Sequence, residues 1–357
     1  MKPFRRLKQT RVDRSLQTEA QAQPAPPDAS TASGAFPKVE LHVHLEGTVR
    51  PATLLQIARR NDYALPANTV EGLAALYEFR DFVHFIDVWI LTTNALQTEA
   101  DFRQVVVDYA AEAASHGAVY VEAIFSPAER VRRGVSWDEV YSGFRDGAQE
   151  AKELHGVEVA LTPDIPRGFT LEEARQTVRY AVEYGLAGVG LGGLEAQFPP
   201  EPYADVFREA RAEGLASVPH AGEVVGPASV WGALDALGAD RVRHGIRAVE
   251  DPALVRELAA REIVLDVCPI SNLRTGAVAS LEEHPLPRLV EAGVLCSIST
   301  DDPAMFDTDL TRDYEAAQRL GLDPRAAFDA GVAGALADEE LKAALRAVGD
   351  AHEWAVP

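Results

Sequence analysis

Eight short runs of hydrophobic and β-branched residues recur along the chain, and helical patterns separate most of them. The runs are Val39–Leu45, Val119–Phe125, Glu158–Thr162, Gly188–Leu191, Ala216–His220, Arg241–His244, Val264–Cys268 and Leu295–Thr300. Strands that alternate with helices form parallel sheets, because a parallel partner needs a long crossover connection. Eight repeats predict an α/β fold of the (β/α)8 TIM-barrel type. An open doubly wound sheet is the alternative, but no Gly-x-Gly-x-x-Gly motif follows the first run.

The domain organisation follows from where this alternation begins and where it is interrupted. Residues 1–36 carry an excess of basic residues and an Ala/Pro-rich stretch without hydrophobic periodicity, which predicts a disordered tail. Residues 37–357 are then expected to form a single barrel domain. About 70 residues separate the first two strands, and their helical patterns predict extra helices inserted at about 48–117 as a lid over one barrel mouth.

Charge and cysteine content narrow the partners and the compartment. The chain has 34 basic and 55 acidic residues, a net charge of −21, which argues against nucleic acid or an anionic membrane as a partner. No apolar run approaches the roughly 18 residues of a membrane span. The two cysteines, Cys268 and Cys296, are too few for a disulfide framework and are expected to be buried free thiols in the cytoplasm. The sequence gives no oligomeric state.

A histidine pair lies at the end of the first predicted strand. Side chains two residues apart on a strand point to the same side, so His42 and His44 project together. Two such imidazoles can supply two of the four ligands of a metal site, because histidine is the commonest metal ligand and zinc accepts nitrogen readily. Taken alone, the pair is equally compatible with an ordinary hydrogen-bonded or solvent-facing pair of histidines.

Four later polar clusters follow the ends of successive predicted strands. They are His220–Glu223, His244-Gly245, Cys268–Asn272 and Ser299–Pro303. In a (β/α)8 barrel the carboxyl ends of all strands converge on one face, where active sites lie. Three histidines and one aspartate would complete an open, catalytic zinc site that activates water. Glu223 is then a candidate proton donor, and His244 and the second aspartate are candidates to orient or deprotonate the water.

Lys38–Gly47, His220–Glu223, His244-Gly245 and Ser299–Pro303 together resemble the adenosine deaminase family of the metal-dependent amidohydrolases, over roughly residues 36–345. The resemblance implies one Zn²⁺ per chain. It implies that the metal ligands are His42, His44, His220 and Asp301. It implies that the catalytic residues are Glu223, which protonates purine N1, and His244 and Asp302, which position and activate the water that attacks C6. It implies that the substrate contacts are made by His44, the residue at position 46, Gly193 at purine N3 and Asp302 at purine N7.

The residue at position 46 departs from the family pattern. The adenosine enzymes usually have an aspartate that contacts the ribose 5′-hydroxyl, whereas this chain has Glu46, as related adenine deaminases do. The resemblance therefore predicts deamination of adenosine or 2′-deoxyadenosine in purine salvage, with adenine or a 5′-modified adenosine as the alternative. A non-catalytic metal-binding barrel is disfavoured, because each expected catalytic position is present. The other histidines, among them His116 and His284, are predicted to have structural or surface roles.

Overall fold

The computed structural model describes residues 36–79 and 82–354, without the side chains of residues 82–87. The strands in these ranges are β1 Lys38–His44, β2 Ala118–Phe125, β3 Glu158–Pro166, β4 Gly188–Gly192, β5 Ala216–Ser217, β6 His220–Ala221, β7 Val242–His244, β8 Leu265–Val267 and β9 Cys296–Ile298. The predicted disorder falls on residues outside these ranges, apart from Phe36, and stays a prediction.

The α-helices in the described ranges lie between and after the strands. They are α1 Pro51–Arg60, α2 Val70–Ala74, α3 Phe82–Asn94, α4 Glu99–Ser115, α5 Pro127–Val131, α6 Trp137–His155, α7 Leu171–Glu183, α8 Ala204–Ala212, α9 Pro227–Asp235, α10 Pro252–Ala260, α11 Pro269–Arg274, α12 Leu286–Glu291, α13 Leu310–Arg319, α14 Pro324–Gly334 and α15 Glu339–Ala351. Short 3-10 helices occupy Leu45–Thr48, Ala75–Tyr77, Glu201–Tyr203 and Ile246–Glu250. None of the helices described is long and apolar enough to cross a membrane.

The strands form one closed parallel barrel. β1 to β5 are hydrogen-bonded in sequence order, and so are β6 to β9. Between these two runs, Val218 N donates to Val189 O and Arg243 N donates to Pro219 O, both at 3.0 Å. The ring closes where Asp301 N donates to His42 O at 3.1 Å and His44 N donates to Asp301 O at 2.8 Å.

The closed ring confirms the predicted (β/α)8 fold and rules out the open sheet. The predicted fifth strand, Ala216–His220, corresponds to β5 and the first residue of β6, because its backbone pairs with β4 at one end and with β7 at the other. The ordinary crossover pattern of a barrel then accounts for most of the later helices.

Among the residues described between β1 and β2 are four α-helices, α1–α4, where the sequence predicts the insertion. Helix α4 packs closely on α6, because Gly143 leaves room that a side chain would fill: an added Cβ would lie 2.5 Å from Glu99 O. Arg50, just before α1, binds the Glu112 carboxylate on α4 and donates to Pro303 O at 3.2 Å and Thr308 O at 2.8 Å. The insertion is thereby attached to the loop that follows β9, at the mouth of the barrel.

Charged side chains fill part of the barrel interior. Arg241 on the chain just before β7 pairs with Glu122 at 2.6 Å and with Asp266 at 2.7 Å, and all three residues are buried. A buried ion pair offsets its loss of hydration only when its geometry and hydrogen bonds are good. This network joins β2, β8 and the segment before β7 and fixes the strands that carry the polar side chains at the mouth.

Candidate active site

Four nitrogen and oxygen atoms from three parts of the barrel converge at its carboxyl end. His42 and His44 lie on β1, His220 begins β6, and Asp301 follows β9. His220 Nε2 is 3.1 Å from the Nε2 atoms of both His42 and His44. Asp301 Oδ1 is 3.3 Å from the same two histidine nitrogens. The structure thus brings together the four predicted metal ligands.

The spacing and the protonation of these atoms suit a divalent metal ion. A tetrahedral site with bonds of about 2.0–2.1 Å has ligand atoms roughly 3.3 Å apart, close to the distances found here. Burial lowers the pKa of His42 to about 3 and that of His44 to about 4, which keeps both imidazoles neutral as a metal requires. Burial would raise the pKa of Asp301, but the surrounding histidines outweigh this and lower it. The spacing and the neutral imidazoles of this donor set therefore fit a divalent metal ion.

Buried side chains lie behind three of these four ligands. Asp164 Oδ2 lies 3.3 Å from His220 Nδ1, Cys268 Sγ lies 3.6 Å from His42 Nδ1, and Ser271 Oγ donates to Asp301 Oδ2 at 2.6 Å. Partners of this kind fix the ring orientation and basicity of a metal-binding histidine. Asp301 itself has φ of 67°, a left-handed conformation that is strained for a residue with a Cβ and typical of functional sites.

The three predicted catalytic residues surround the same point. His244 Nε2 is 3.6 Å from Glu223 Oε2 and 3.9 Å from Asp301 Oδ2. Burial is the main cause that raises the pKa of Glu223, and Thr275 Oγ1 donates to its Oε1 at 3.3 Å. Burial and the adjacent carboxylates of Asp301, Glu46 and Glu223 raise the pKa of Asp302 well above its usual value. The site therefore contains two buried carboxyl groups, Glu223 and Asp302, whose raised pKa values favour the binding of a proton beside the four predicted ligands.

Two buried carboxylate oxygens face the site without a partner. Among the described residues nothing hydrogen-bonds Asp302 Oδ1 or Glu46 Oε2. The other oxygen of Glu46 accepts a hydrogen bond from Ser126 N at 2.8 Å, and burial raises the Glu46 pKa to about 7. Unpaired buried polar atoms are costly, so a bound molecule is expected to satisfy them. Gly47 is needed here, because a Cβ at this position would lie 2.7 Å from Asp302 Cβ.

The remaining predicted substrate contact, Gly193, follows β4 with φ of 91°. The turn passes beside the metal ligands, since a Cβ on Gly192 would lie 3.6 Å from His220 Cε1. Glu195, two residues later, accepts hydrogen bonds from Gly222 N, Val224 N and Ser229 Oγ at 2.5, 2.9 and 2.6 Å. Glu195 therefore positions the loop that carries Glu223.

Sequence reasoning missed Asp164, Glu195 and His284 as parts of this site. The strand β3 runs four residues beyond the predicted end at Thr162, and Asp164 lies on that extension. Its position near the carboxyl end of a barrel strand was a usable signal. His284 was predicted to have a structural or surface role, and its Nε2 lies 3.1 Å from Oδ1 of Asn272, which in turn contacts His244.

A closed parallel barrel with a His-x-His pair on its first strand, a histidine on its fifth and an aspartate after its last defines a metal-dependent hydrolase of the amidohydrolase class. Comparison with known sequences assigns the family. The adenosine deaminase family model matches residues 37–348, so the chain belongs to the adenosine deaminase family.

The relatives indicate the type of substrate. The chain is 53% identical over 330 residues to the aminodeoxyfutalosine deaminase of Acidothermus cellulolyticus, covering 90% of this chain and 93% of the relative. It is 38% identical over 332 residues to the adenine deaminase of Cupriavidus necator, with coverage of 90% and 93%. The protein is therefore an aminohydrolase acting on a 6-aminopurine.

Solved structures agree with this assignment. The adenine deaminase of Arthrobacter aurescens superposes with a TM-score of 0.83 at 30% identity, covering 88% of this chain and 98% of that structure. An amidohydrolase from Burkholderia ambifaria that was crystallised with bound Zn superposes with a TM-score of 0.80 at 28% identity, covering 90% and 92%. The first prediction from the sequence was adenosine as the substrate. These relatives favour the alternative, which was adenine or a 5′-modified adenosine.

Proposed function

We propose that this enzyme deaminates aminodeoxyfutalosine, a 5′-modified adenosine, with the aid of one zinc ion. The observation that carries the reaction is the convergence of four ligand atoms and three catalytic side chains at one point of the barrel mouth. The identity of 53% to an aminodeoxyfutalosine deaminase supports the choice of substrate. The leading prediction from the sequence was adenosine in purine salvage, and the relatives support a 5′-modified adenosine better.

Zinc suits the donor set proposed to hold it. Three neutral imidazoles and one carboxylate, from His42, His44, His220 and Asp301, are the nitrogen and oxygen ligands that zinc accepts. When bound, zinc supplies Lewis-acid activation that makes water reactive near neutral pH. The cysteine next to the site, Cys268, points at a histidine rather than at the four-atom cluster, and it has no role as a ligand in this proposal.

The protein's own residues then move two protons. Glu223, whose pKa is raised by burial, is the proton donor of the proposal and gives its proton to purine N1 as water adds to C6. Asp302 accepts a proton from the attacking water on its unpaired Oδ1 and returns it to the amino group, which leaves as ammonia when the C6–N bond breaks. The proton that remains on the C6 oxygen passes to Glu223 as the carbonyl forms, and both carboxyl groups regain their starting states. His44 packs against the bound ring, Gly193 N–H donates to purine N3, and Asp302 also lies at N7. The 6-aminopurine and water become a 6-oxopurine and ammonia.

The space beside the site supports a substrate larger than a base. A cavity of about 810 Å³ is lined by Thr275, which contacts Glu223, and by Ala304 and Met305, which follow Asp302 in the loop after β9. Tyr77 and Phe79 from the helical insertion also line it. Cavities of roughly 300–1,000 Å³ enclose whole drug-sized ligands, so this one has room for a group attached at the 5′ position. The insertion is accordingly proposed to act as the lid over that group.

Adenine is the second candidate, and Glu46 is the observation that favours it. Its carboxylate is held by Ser126 N with one oxygen and leaves the other unpaired beside Asp302. A longer acid at this position narrows the room for a ribose 5′-hydroxyl. The relatives that are adenine deaminases support the same choice.

A substrate panel separates these candidates. The zinc-loaded wild-type enzyme and its Glu46→Asp variant are each assayed for kcat/KM on aminodeoxyfutalosine, adenine, adenosine and 5′-deoxyadenosine. We expect the highest kcat/KM on aminodeoxyfutalosine and a shift of preference towards adenosine in the variant. The same substitution at Glu129, a partly exposed residue on α5, serves as the control and leaves the ranking unchanged. A ranking led by adenine supports the second candidate, and inactivity on every 6-aminopurine contradicts both.

We also propose that the enzyme works in the cytoplasm as a small-molecule hydrolase without nucleic-acid or membrane partners. Cys268 and Cys296 are both free and buried, which is the expected state in a reducing compartment. The acidic net charge of −21 supports the absence of a nucleic-acid partner.

A further inference from the structure

A chain of buried hydrogen bonds runs from His244 away from the catalytic centre. His244 Nδ1 is 3.2 Å from Asn272 Nδ2, and Asn272 Oδ1 is 3.1 Å from His284 Nε2. The far nitrogen of His284, Nδ1, accepts a hydrogen bond from the backbone N–H of Leu286 at 3.1 Å. The Nε2 side of His244 faces the site, towards Glu223 and Asp301. Each nitrogen of His244 therefore has a different environment.

The backbone amide at the end of this chain fixes its direction. A backbone N–H only donates, so His284 Nδ1 is an acceptor and the proton of the neutral ring lies on Nε2. His284 Nε2–H then donates to Asn272, and the Asn272 atom that receives it is Oδ1. The amide nitrogen of Asn272 consequently points at His244 and donates to Nδ1. His244 is left with its own proton on Nε2, directed into the catalytic centre.

Because the three side chains are buried, each hydrogen bond of the chain needs a donor and an acceptor from the protein. His244, Asn272 and His284 are 1%, 0% and 3% exposed, so water cannot replace a missing donor or acceptor. Burial also lowers the pKa of His284 to about 4, which keeps the ring neutral and prevents it from donating through both nitrogens. The backbone of His244 has φ of 62°, and Gly245 follows with φ of 67°, so the turn itself holds the ring in this position.

We propose that Asn272 and His284 are positioning residues that fix His244 in the tautomer with its proton on Nε2. His244 then donates a hydrogen bond to the oxygen nucleophile and does not act as its base, a role left to Asp302. Sequence reasoning left open which of these two residues deprotonates the water, and the direction of the hydrogen bonds decides it. The inference rests on the proposed role of His244 in deamination.

Substitutions at His284 test this proposal with a matched control. His284→Leu keeps much of the side-chain volume but removes the donor to Asn272, while His284→Gln retains an N–H near the position of Nε2. Loss of a residue that orients a catalytic group costs roughly 10–100-fold in activity, so we expect kcat of the leucine variant to fall by that factor. KM and zinc content stay close to wild type, and the glutamine variant recovers most of the kcat.

The control is His116→Leu, since His116 also binds a side chain, Thr311 Oγ1 at 2.9 Å, but lies at the amino end of β2. It leaves kcat unchanged. If His284→Leu lowers the stability of the protein as His116→Leu does but keeps the wild-type kcat, His284 is a packing residue only and the proposal is wrong. The same conclusion follows if both His284 variants lose kcat equally.

The tautomer is also measured directly, without any substrate. Nitrogen-15 NMR of the zinc-loaded enzyme, labelled at histidine, distinguishes a protonated from an unprotonated ring nitrogen, and the His244 signals are assigned by their loss in His244→Gln. We expect wild-type His244 to be protonated on Nε2 alone and a mixture of tautomers in His284→Leu. If the wild-type spectrum shows His244 protonated on Nδ1, the proposal is wrong. This result does not depend on whether His284→Leu folds. Because this readout needs no turnover, it stays informative if the proposed substrate is wrong.

Discussion

We predict that the ion pair between Asp164 and Arg243 couples the stability of the barrel to metal binding at the proposed site. The two side chains lie 2.5 Å apart, both are buried, and Asp164 is also 3.3 Å from His220 Nδ1. Arg243 has one further neutral partner, Thr162 Oγ1 at 2.6 Å. Asp164→Asn keeps the shape of the side chain but leaves the Arg243 cation without its adjacent anion.

Two magnitudes follow from this geometry. Removing one partner of a buried ion pair costs about 3–5 kcal/mol of the free energy of unfolding, and Coulomb attraction at about 4 Å with an effective dielectric of 20 gives a similar figure. The Thr162 hydroxyl keeps part of the hydrogen bonding, which places the expected loss near the lower limit, about 3 kcal/mol. His220 also loses its carboxylate partner, so we expect zinc to bind roughly 10–100-fold more weakly.

The assay measures both quantities separately. Thermal unfolding is followed with excess chelator, which removes the contribution of the metal, and zinc affinity is measured by competition with a chromophoric chelator. Asp146→Asn is the control, because Asp146 pairs with Arg145 at 2.9 Å on the exposed face of α6, and it should change neither value. An Asp164→Asn protein that unfolds at the wild-type temperature and keeps its zinc affinity would refute the coupling between Arg243, Asp164 and His220.

Further predictions concern protons, a glycine and the metal. The raised pKa of Glu223 predicts that kcat/KM falls as pH rises through that pKa, and that Glu223→Gln abolishes this limb of the pH–rate profile along with most activity. Hydrogen bonds from Arg132 lower the pKa of Glu173 from 4.5 to about 2, so its contribution to stability is complete above about pH 5 and is lost as pH falls towards 2. The difference in unfolding temperature between wild type and Glu173→Gln should shrink over that range; a constant difference would show that the charge is irrelevant. Gly47→Ala places a Cβ against Asp302, and we expect it to lower kcat with zinc content unchanged, as metal analysis would check. Removing zinc from wild-type protein should lower the unfolding temperature, since a ligand at 1,000 times its Kd stabilises the folded state by about 4 kcal/mol.

The metal ligands and the barrel were open to prediction because both depend on local order along the chain. Period-two spacing places His42 and His44 on one side of β1, and the topology of a parallel barrel brings the ends of its strands together. The helical insertion was foreseen for a similar reason, since the distance between the first two strands exceeds that of one crossover. The substrate was harder to predict, because Glu46 is one side chain whose effect depends on its neighbours.

The ends of strands and the contacts between distant residues could not be predicted from the sequence. Asp164 lies past the predicted end of its strand, because pairing with β4 extends β3 to Pro166. The fifth barrel strand divides into β5 and β6 because its backbone hydrogen-bonds first to one neighbour and then to the other.

The sequence by itself determined the kind of fold and the class of reaction and predicted four metal ligands, because periodicity and the order of strand-end motifs are properties of the chain. Only the tertiary structure decided which partners contact those ligands and the predicted catalytic residue His244. Asn272 and His284 are 12 residues apart, and their role depends on a directed chain of hydrogen bonds to His244. The direction of a hydrogen bond is set by atoms that meet in space, and no spacing in the sequence specifies it.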